Sequence, residues 1–377
     1  MLPLKYPTGK QKATFEKEYI SLVFNNEDRK QEFIISLNKI LKKIGYTNNL
    51  TLDDILTRNI EWLAEQSENI NHLLEPGSVE EDELKELFNY SDRYQPKIAE
   101  FFSSQQQIKL RTCFYCNIDY INTFIGLGNY VSLKDFLFTA DKSELMKLNS
   151  IGDTKASKVI DLRKKATKVE DLGLSKNLLK RLWKIDFRNL EIKDFDQRAI
   201  FNHFTLDHIL SKAMHPLTSL SLYNFVPSCY ACNSKFKKEK PLICKATTHN
   251  SPTSEKFNYH ITSKFKYIFT SCKAISNPAN DKGFSIELEQ SEESELYGVL
   301  FKLEQRYREH TDIALDLLEK RQKYSESQLL ELSRKLNIPV DTIKANIFGK
   351  EIFEEDDSRY SFSKYKKDLS KQLKVIE

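Results

Sequence analysis

Most of what this chain says about fold and chemistry is concentrated in LDHILSKAMHPLTSLSLYNFVPSCYACNSKFKKEK, residues 206–240. Asp207-His208 follow an apolar, strand-like approach (Ala199, Ile200, Phe201, Phe204), and Asn224 falls in a second strand-like run. Cys229-Tyr-Ala-Cys232 comes next, with Asn233 directly after it. A matching pair, Cys113-Phe-Tyr-Cys116, lies far upstream. A two-residue gap lets both thiolates of a pair reach one tetrahedral Zn²⁺ at ~2.3 Å. Two such knuckles make a closed structural site from Cys113, Cys116, Cys229 and Cys232, and at this separation the site is a staple and not a compact finger. Cys244 and Cys272 have no such partners and read as ordinary buried residues.

The order Asp-His, then Asn, then CxxC-Asn resembles the HNH (ββα-metal) endonucleases, particularly the subset braced by a four-cysteine zinc site. The resemblance covers Cys113–Cys116 and about 195–245. It implies hydrolysis of DNA phosphodiester bonds to 5′-phosphate and 3′-hydroxyl ends, with Mg²⁺ or Mn²⁺ as catalytic cofactor. The residue chemistry is compatible. Such a reaction deprotonates a water in line with the leaving oxygen, and His is the side chain whose ordinary pKa lies nearest neutrality, so His208 is the candidate base. A hard divalent cation prefers oxygen ligands. Asp207, on the opposite side of a strand from His208, and Asn233, on the following helix, are the candidate ligands. By resemblance, Asn224 orients the base loop and helps fix the His208 imidazole. The chain departs from the family signature at its last position, where Asn233 stands in place of His. His215 and, more weakly, His203 are further candidate ligands, although a hydrogen-bonded or surface role suits either. Lys235, Lys237 and Lys238 lie on or just after the expected helix and would meet phosphates.

Between the knuckles, LNSIGDTKASKVIDLR (residues 148–163) places a tight hairpin between two helices, with Ala156 where close packing needs a small side chain. This resembles a helix-hairpin-helix module, and TADKSELMKL before it and KVEDLGLSKNLLKRLWK after it resemble the flanks of the paired, competence-type version. The resemblance implies that backbone N–H groups near Gly152 bind a DNA phosphate without reading sequence. Lys155, Lys158 and Arg163, followed by Lys164 and Lys165, add charge. Ser150 stands where such hairpins usually have their first glycine.

Charge is unevenly spread. The 377 residues carry a net charge of +4, yet residues 141–190 hold 13 Lys/Arg against 7 Asp/Glu. Residues 61–100 hold 11 acids and 3 bases, and residues 281–320 hold 11 acids and 5 bases. A basic middle between acidic ends suits a polyanion bound centrally. A mean hydropathy of -0.53 and the lack of a long apolar run exclude an integral membrane protein. The first twenty residues lack a secretory pattern, and six cysteines are too sparse for a disulfide scaffold, so a cytoplasmic chain is expected.

The remaining sequence reads as helix and a strand pair. Phe33, Ile34, Leu37, Ile40, Leu41 and Ile44 recur at helix spacing, closed by Gly45, and Glu80–Glu83 suit the first turn of another helix. FKYIFTSC and GFSIELEQ, separated by Asn277-Pro278-Ala279-Asn280, predict a hairpin. Leu296, Leu300, Leu303, Tyr307, Ala314, Leu317 and Leu318 form an apolar helical stripe. The tail, IFGKEIFEEDDSRYSFSKYKKDLSKQL, is similar in pattern to the helical C-terminal region of stand-alone bacterial HNH nucleases from anti-phage and mobile-element loci, and its acidic helices would suit a partner such as an ATPase. The expected architecture is α+β: a helical N-terminal region (1–105), a ββα-metal nuclease domain (106–127 and 187–290), a helix-hairpin-helix insertion (128–186) and a helical C-terminal region (291–377). One such site cuts one strand, so a homodimer or repeated nicking would be needed for a double-strand break. The rival readings are a ribonuclease or tRNA-cutting toxin of the same fold, and a catalytically inactive zinc-stapled DNA-binding module.

Overall fold

The structure, a computed structural model, describes residues 2–105, 108, 110–240, 251–257, 263–269 and 283–377. Cys244, Cys272 and the expected turn 277–280 lie outside the described residues. The fold is α+β, with many short helices and three two-stranded antiparallel sheets among the described residues. β1 (Thr123–Ile125) pairs with β2 (Ile200–Asn202), β3 (Thr205–His208) with β4 (Phe225–Ser228), and β5 (Ser263–Phe269) with β6 (Phe284–Gln290). The chain divides into two compact units. One comprises 1–121 and 204–377, and the other 122–203. The expected N- and C-terminal regions share one unit with 106–121 and 204–290 of the expected nuclease domain, while its parts 122–127 and 187–203 fall in the other unit together with the insertion expected at 128–186.

In the larger unit the N-terminal helices are α1 (Gly9–Val23), α2 (Glu27–Lys43), α3 (Leu52–Thr57), α4 (Ile60–Asn71), α5 (Val79–Leu87) and α6 (Gln95–Ser104). α2 buries Phe33, Leu37, Ile40 and Leu41, and the Asn26 side chain caps its start by accepting from the N–H groups of Asp28 and Arg29. Gly45 closes it with φ +83°. Ser78 caps α5, and Glu80, Glu81 and Asp82 lie in its first turn, where the helix dipole favours negative charge. A wide turn, Tyr90–Tyr94, joins α5 to α6 and carries Tyr90 into the candidate site.

These helices buttress the loop between β3 and β4. The hydroxyl of Tyr19 donates to the carbonyl of Leu220 at 2.6 Å, and that of Ser221 donates to the carbonyl of Ile55 at 2.5 Å. After β4 the chain makes a wide, π-helical turn, Ala231–Lys237, in which the Asn233 carbonyl accepts from the N–H of Lys238 five residues on. The expected C-terminal stripe is only partly inward. Leu303, Tyr307, Ala314, Leu317 and Leu318 are buried, whereas Leu296 is 52% exposed because the helix Glu292–Leu300 ends before Leu303, with Lys302 at φ +52° between them. The tail packs against the same unit: the Asn117 amide donates to the carbonyls of Asp357 and Tyr360, and Asp368 and Gln372 accept from the β5 N–H groups of Phe265 and Tyr267.

The unit 122–203 has its own core. α7 (Leu133–Thr139), α8 (Lys142–Leu145), α9 (Asp153–Arg163) and α10 (Lys176–Leu182) bury Phe136, Leu137, Leu145, Val159 and Leu182, with Ala156 fully enclosed. Ser150 adopts φ +71°, the left-handed conformation that a glycine takes without a Cβ penalty. Gly152 precedes α9 in extended conformation, and a side chain there would meet nothing within 4 Å.

Candidate active site and metal centre

The four paired cysteines converge. The sulfurs of Cys113, Cys116, Cys229 and Cys232 all lie within 4.8 Å of one another, and all four residues are buried. Cys116 Sγ and Cys229 Sγ, 113 positions apart, stand 4.0 Å apart. Four thiolates ~2.3 Å from one Zn²⁺ would be separated by about 3.8 Å, so the set fits a structural zinc ion as it stands. Backbone N–H groups support the sulfurs: that of Ile118 points to Cys116 Sγ at 3.4 Å and that of Cys232 to Cys229 Sγ at 3.5 Å. Burial pushes the Cys113 thiol up, and a metal bound there would have to take up that cost. Arg306, from the helix Leu303–Arg308, places its guanidinium 3.3 Å from Cys232 Sγ and 3.2 Å from Asp119, offsetting thiolate charge from the next layer out.

Tyr115, between the first two cysteines, links this centre to the second constellation. Its hydroxyl donates to Asp207 Oδ2 at 2.5 Å. The other oxygen, Oδ1, is 3.0 Å from the ammonium of Lys237, which also donates to the His208 carbonyl at 2.8 Å. Asp207 is 3% exposed and Lys237 1%. Burial pushes the Asp207 carboxyl up to about 6, against the pull of the lysine and of the Tyr115 hydrogen bond.

His208 ends β3 opposite Phe225 and is enclosed by the rings of Tyr90 at 4.6 Å and Phe225 at 4.8 Å. Its Nε2 donates to the carbonyl of Ser219 at 3.0 Å, which leaves the Nδ1 lone pair as the proton acceptor. Burial lowers its pKa to about 3, so the imidazole is neutral throughout the physiological range but a weaker base than the near-neutral histidine expected from the sequence. Asn224 is fully buried and closes the loop that bears Ser219: its Oδ1 accepts from the Leu210 N–H at 2.7 Å, and its Nδ2 donates to the carbonyls of Leu210 and Thr218, each at 3.0 Å. Asn224 thus acts on His208 through the loop.

A cleft of about 240 Å³ opens beside these groups, and its lining includes Tyr90, Asp207, His208, Lys212, Asn233 and Lys238. Asp207, His208 and Asn233 therefore share one cleft. Two of its contributors, Tyr90 and Gln95, come from the N-terminal region, which in sequence shows no chemistry. The Tyr90 hydroxyl is buried and has no hydrogen-bond partner among the described residues. Lys212 reaches the rim, donating to the Ser91 hydroxyl at 2.7 Å and lying over the Tyr90 ring.

Mg²⁺ or Mn²⁺ does not fit this donor set as it is arranged. Both oxygens of Asp207 are engaged, its charge is balanced by Lys237, Asn233 is neutral, and the other carboxylate of the lining, Glu239, is exposed and belongs to no cluster of metal-ligating side chains. A hard cation needs anionic oxygens directed at it. The only cluster of three or more metal-ligating His, Cys, Asp or Glu side chains among the described residues is the four-cysteine one.

The other expected residues are placed as follows. Lys237 turns inward, unlike the phosphate-facing lysine expected, because the wide turn at 231–237 aims it under β3; Lys235 and Lys238 are exposed. His215 is no ligand of the cleft: its Nδ1 contacts the Ser67 hydroxyl at 2.9 Å and the Asn71 amide at 3.3 Å. His203 is exposed on the other unit. In the hairpin unit, Gly152, Lys155 and Lys158 are exposed, and Lys155 Nζ donates to the Ser150 carbonyl at 3.0 Å. Arg163 is half-buried and holds the carbonyl of Ala140 at 2.6 Å.

Comparison with protein-family models, with curated proteins and with solved structures found no match. No helix among the described residues is long and apolar enough to cross a membrane.

Proposed function

We propose that this protein is an endonuclease of the HNH kind that hydrolyses DNA. The observation that carries the reading is His208: a buried, neutral imidazole whose Nε2 is tied to the Ser219 carbonyl and which borders a cleft with lysines at its rim. A base that activates water needs a free lone pair held in one tautomer, and this contact supplies it. In the proposed reaction Nδ1 takes a proton from water as the water oxygen bonds to phosphorus. The P–O3′ bond breaks, O3′ takes a proton from solvent, and the phosphate stays on the 5′ end. Asn224 fixes the loop, while Lys212 and Lys238 attract the backbone.

Cys113, Cys116, Cys229 and Cys232 would hold a structural zinc ion that takes no part in the reaction and would tie the knuckle bearing Tyr115 to the turn bearing Asn233. The unit 122–203 would hold duplex DNA through the N–H groups beside Gly152 and the exposed Lys155 and Lys158. A role in bacterial defence rests on the resemblance of the tail alone, an ATPase partner on its acidic helices, and a homodimer on the need to cut two strands with single sites. Incubating the purified full chain with supercoiled plasmid and, separately, with total RNA tests the reading. Conversion of plasmid to the nicked form with RNA intact supports it. Degradation of RNA alone replaces it with the ribonuclease reading, and binding without cleavage replaces it with the inactive module.

A further inference from the structure

We infer that Asp207 is the buried counter-ion of Lys237 and not a metal ligand, and that the pair holds the His208 end of β3 in place where a divalent ion would otherwise be expected. The inference rests on the nuclease reading above and deepens it. Lys237 is 1% exposed, so its ammonium has no water to retreat into. Two of its three donors are spent, one on Asp207 Oδ1 at 3.0 Å and one on the His208 carbonyl at 2.8 Å. The arrangement is built from three sides. Tyr115 of the first zinc knuckle fixes Asp207 Oδ2, the β3–β4 pairing fixes the backbone of Asp207 and His208, and the turn 231–237 delivers the lysine.

The charge count follows directly. In the cleft lining Asp207 and Glu239 contribute -2 against +3 from Lys212, Lys237 and Lys238, and Asn233 contributes nothing, so the cleft offers a divalent ion no net attraction. An ion brought to Asp207 would also meet an ammonium in a poorly solvated place. What the pair supplies is position: the ammonium holds the carbonyl of His208, and with it the end of β3, without any reorganisation.

Zinc-loaded full-length wild type, Asp207→Asn and Lys237→Met are titrated with Mn²⁺ by electron paramagnetic resonance, with zinc content and melting confirming that each is folded. The expected result is that wild type and Asp207→Asn bind Mn²⁺ identically, while Lys237→Met, whose carboxylate is freed, gains roughly tenfold in affinity. A Mn²⁺ ion bound by wild type and lost in Asp207→Asn overturns the proposal, and this comparison stands even where Lys237→Met does not fold. In parallel, plasmid nicking by wild type in chelator-treated buffer is expected to change less than about twofold when Mg²⁺ is added. A strict Mg²⁺ requirement overturns the proposal too. Absence of nicking under every condition removes the nuclease reading, and the Mn²⁺ comparison still decides whether Asp207 serves the lysine.

Discussion

His208 illustrates what a single residue's surroundings impose. The aromatic rings on either side exclude water, so the imidazolium is disfavoured and the folded pKa falls to about 3, against ~6.5 in the unfolded chain. A depressed pKa means that the unfolded state takes up the proton first. The stabilisation from neutral His208 is complete above about pH 6.5 and is lost as the pH falls toward 3, by at most about 1.4 kcal/mol per pH unit. Urea titrations of wild type and His208→Gln at several pH values should diverge in this window, and a difference that is flat with pH contradicts the burial argument. Tyr90 poses the opposite case: its hydroxyl is buried without a partner among the described residues, and such a group stabilises nothing. Tyr90→Phe should therefore leave the melting temperature unchanged or slightly raised, and a loss of more than about 1 kcal/mol in denaturant titration would show that the hydroxyl is satisfied in solution. At this scale His208 and Asn224 could be found from the sequence because their order is a local signature. Tyr90 and Lys237 could not: Tyr90 reaches the cleft through a turn 118 positions upstream of His208, and Lys237 looks like one lysine among four until the turn shows which way it faces.

At the level of elements, α2 was legible from its apolar spacing and Gly45, and α5 from the acids Glu80–Glu83 at its start. The β5–β6 pair was legible as alternation over seven residues on each side. Broken helices were not. Lys302 at φ +52° interrupts the C-terminal stripe at a residue type that carries no stop signal, leaving Leu296 outside. The hairpin before α9 was read correctly as a place for glycine, and Ser150 meets the requirement under strain. Ser150→Gly keeps the carbonyl that Lys155 holds and removes the Cβ penalty, so it should stabilise the unit 122–203 by about 1 kcal/mol. Native-state hydrogen exchange of α9 amides measures this, and slower exchange in the variant is the expected outcome; faster exchange would mean that the serine hydroxyl has a role of its own.

Across the whole molecule, the four cysteines hold together segments 113 positions apart, with the second unit, residues 122–203, inserted between them. Two sides of the cleft are tied to this staple: Tyr115 on one knuckle reaches Asp207, and Cys232 leads directly into the turn bearing Asn233 and Lys237. The helix Leu303–Arg308 joins it through Arg306, and Tyr307 donates to the Cys116 carbonyl at 2.6 Å. Cys116→Ser should lose zinc and destabilise the larger unit by several kcal/mol while the unit 122–203, with its separate core, keeps its own melting transition. A single transition shifted as a whole in calorimetry would contradict that independence. The staple was evident from spacing, because two CxxC pairs in a chain of six cysteines allow few other pairings. The unit boundary at 122–203 was not, since β1 and β2 are three residues each and pair across the entire insertion.

The account stands most directly on one comparison: supercoiled-plasmid nicking by wild type and His208→Ala, with zinc determined on the same samples. It predicts about one zinc per chain in both proteins, together with nicking by the wild type that falls by at least about a hundredfold in the variant. Equal nicking by both proteins, or none by a zinc-loaded and folded wild type, would contradict it.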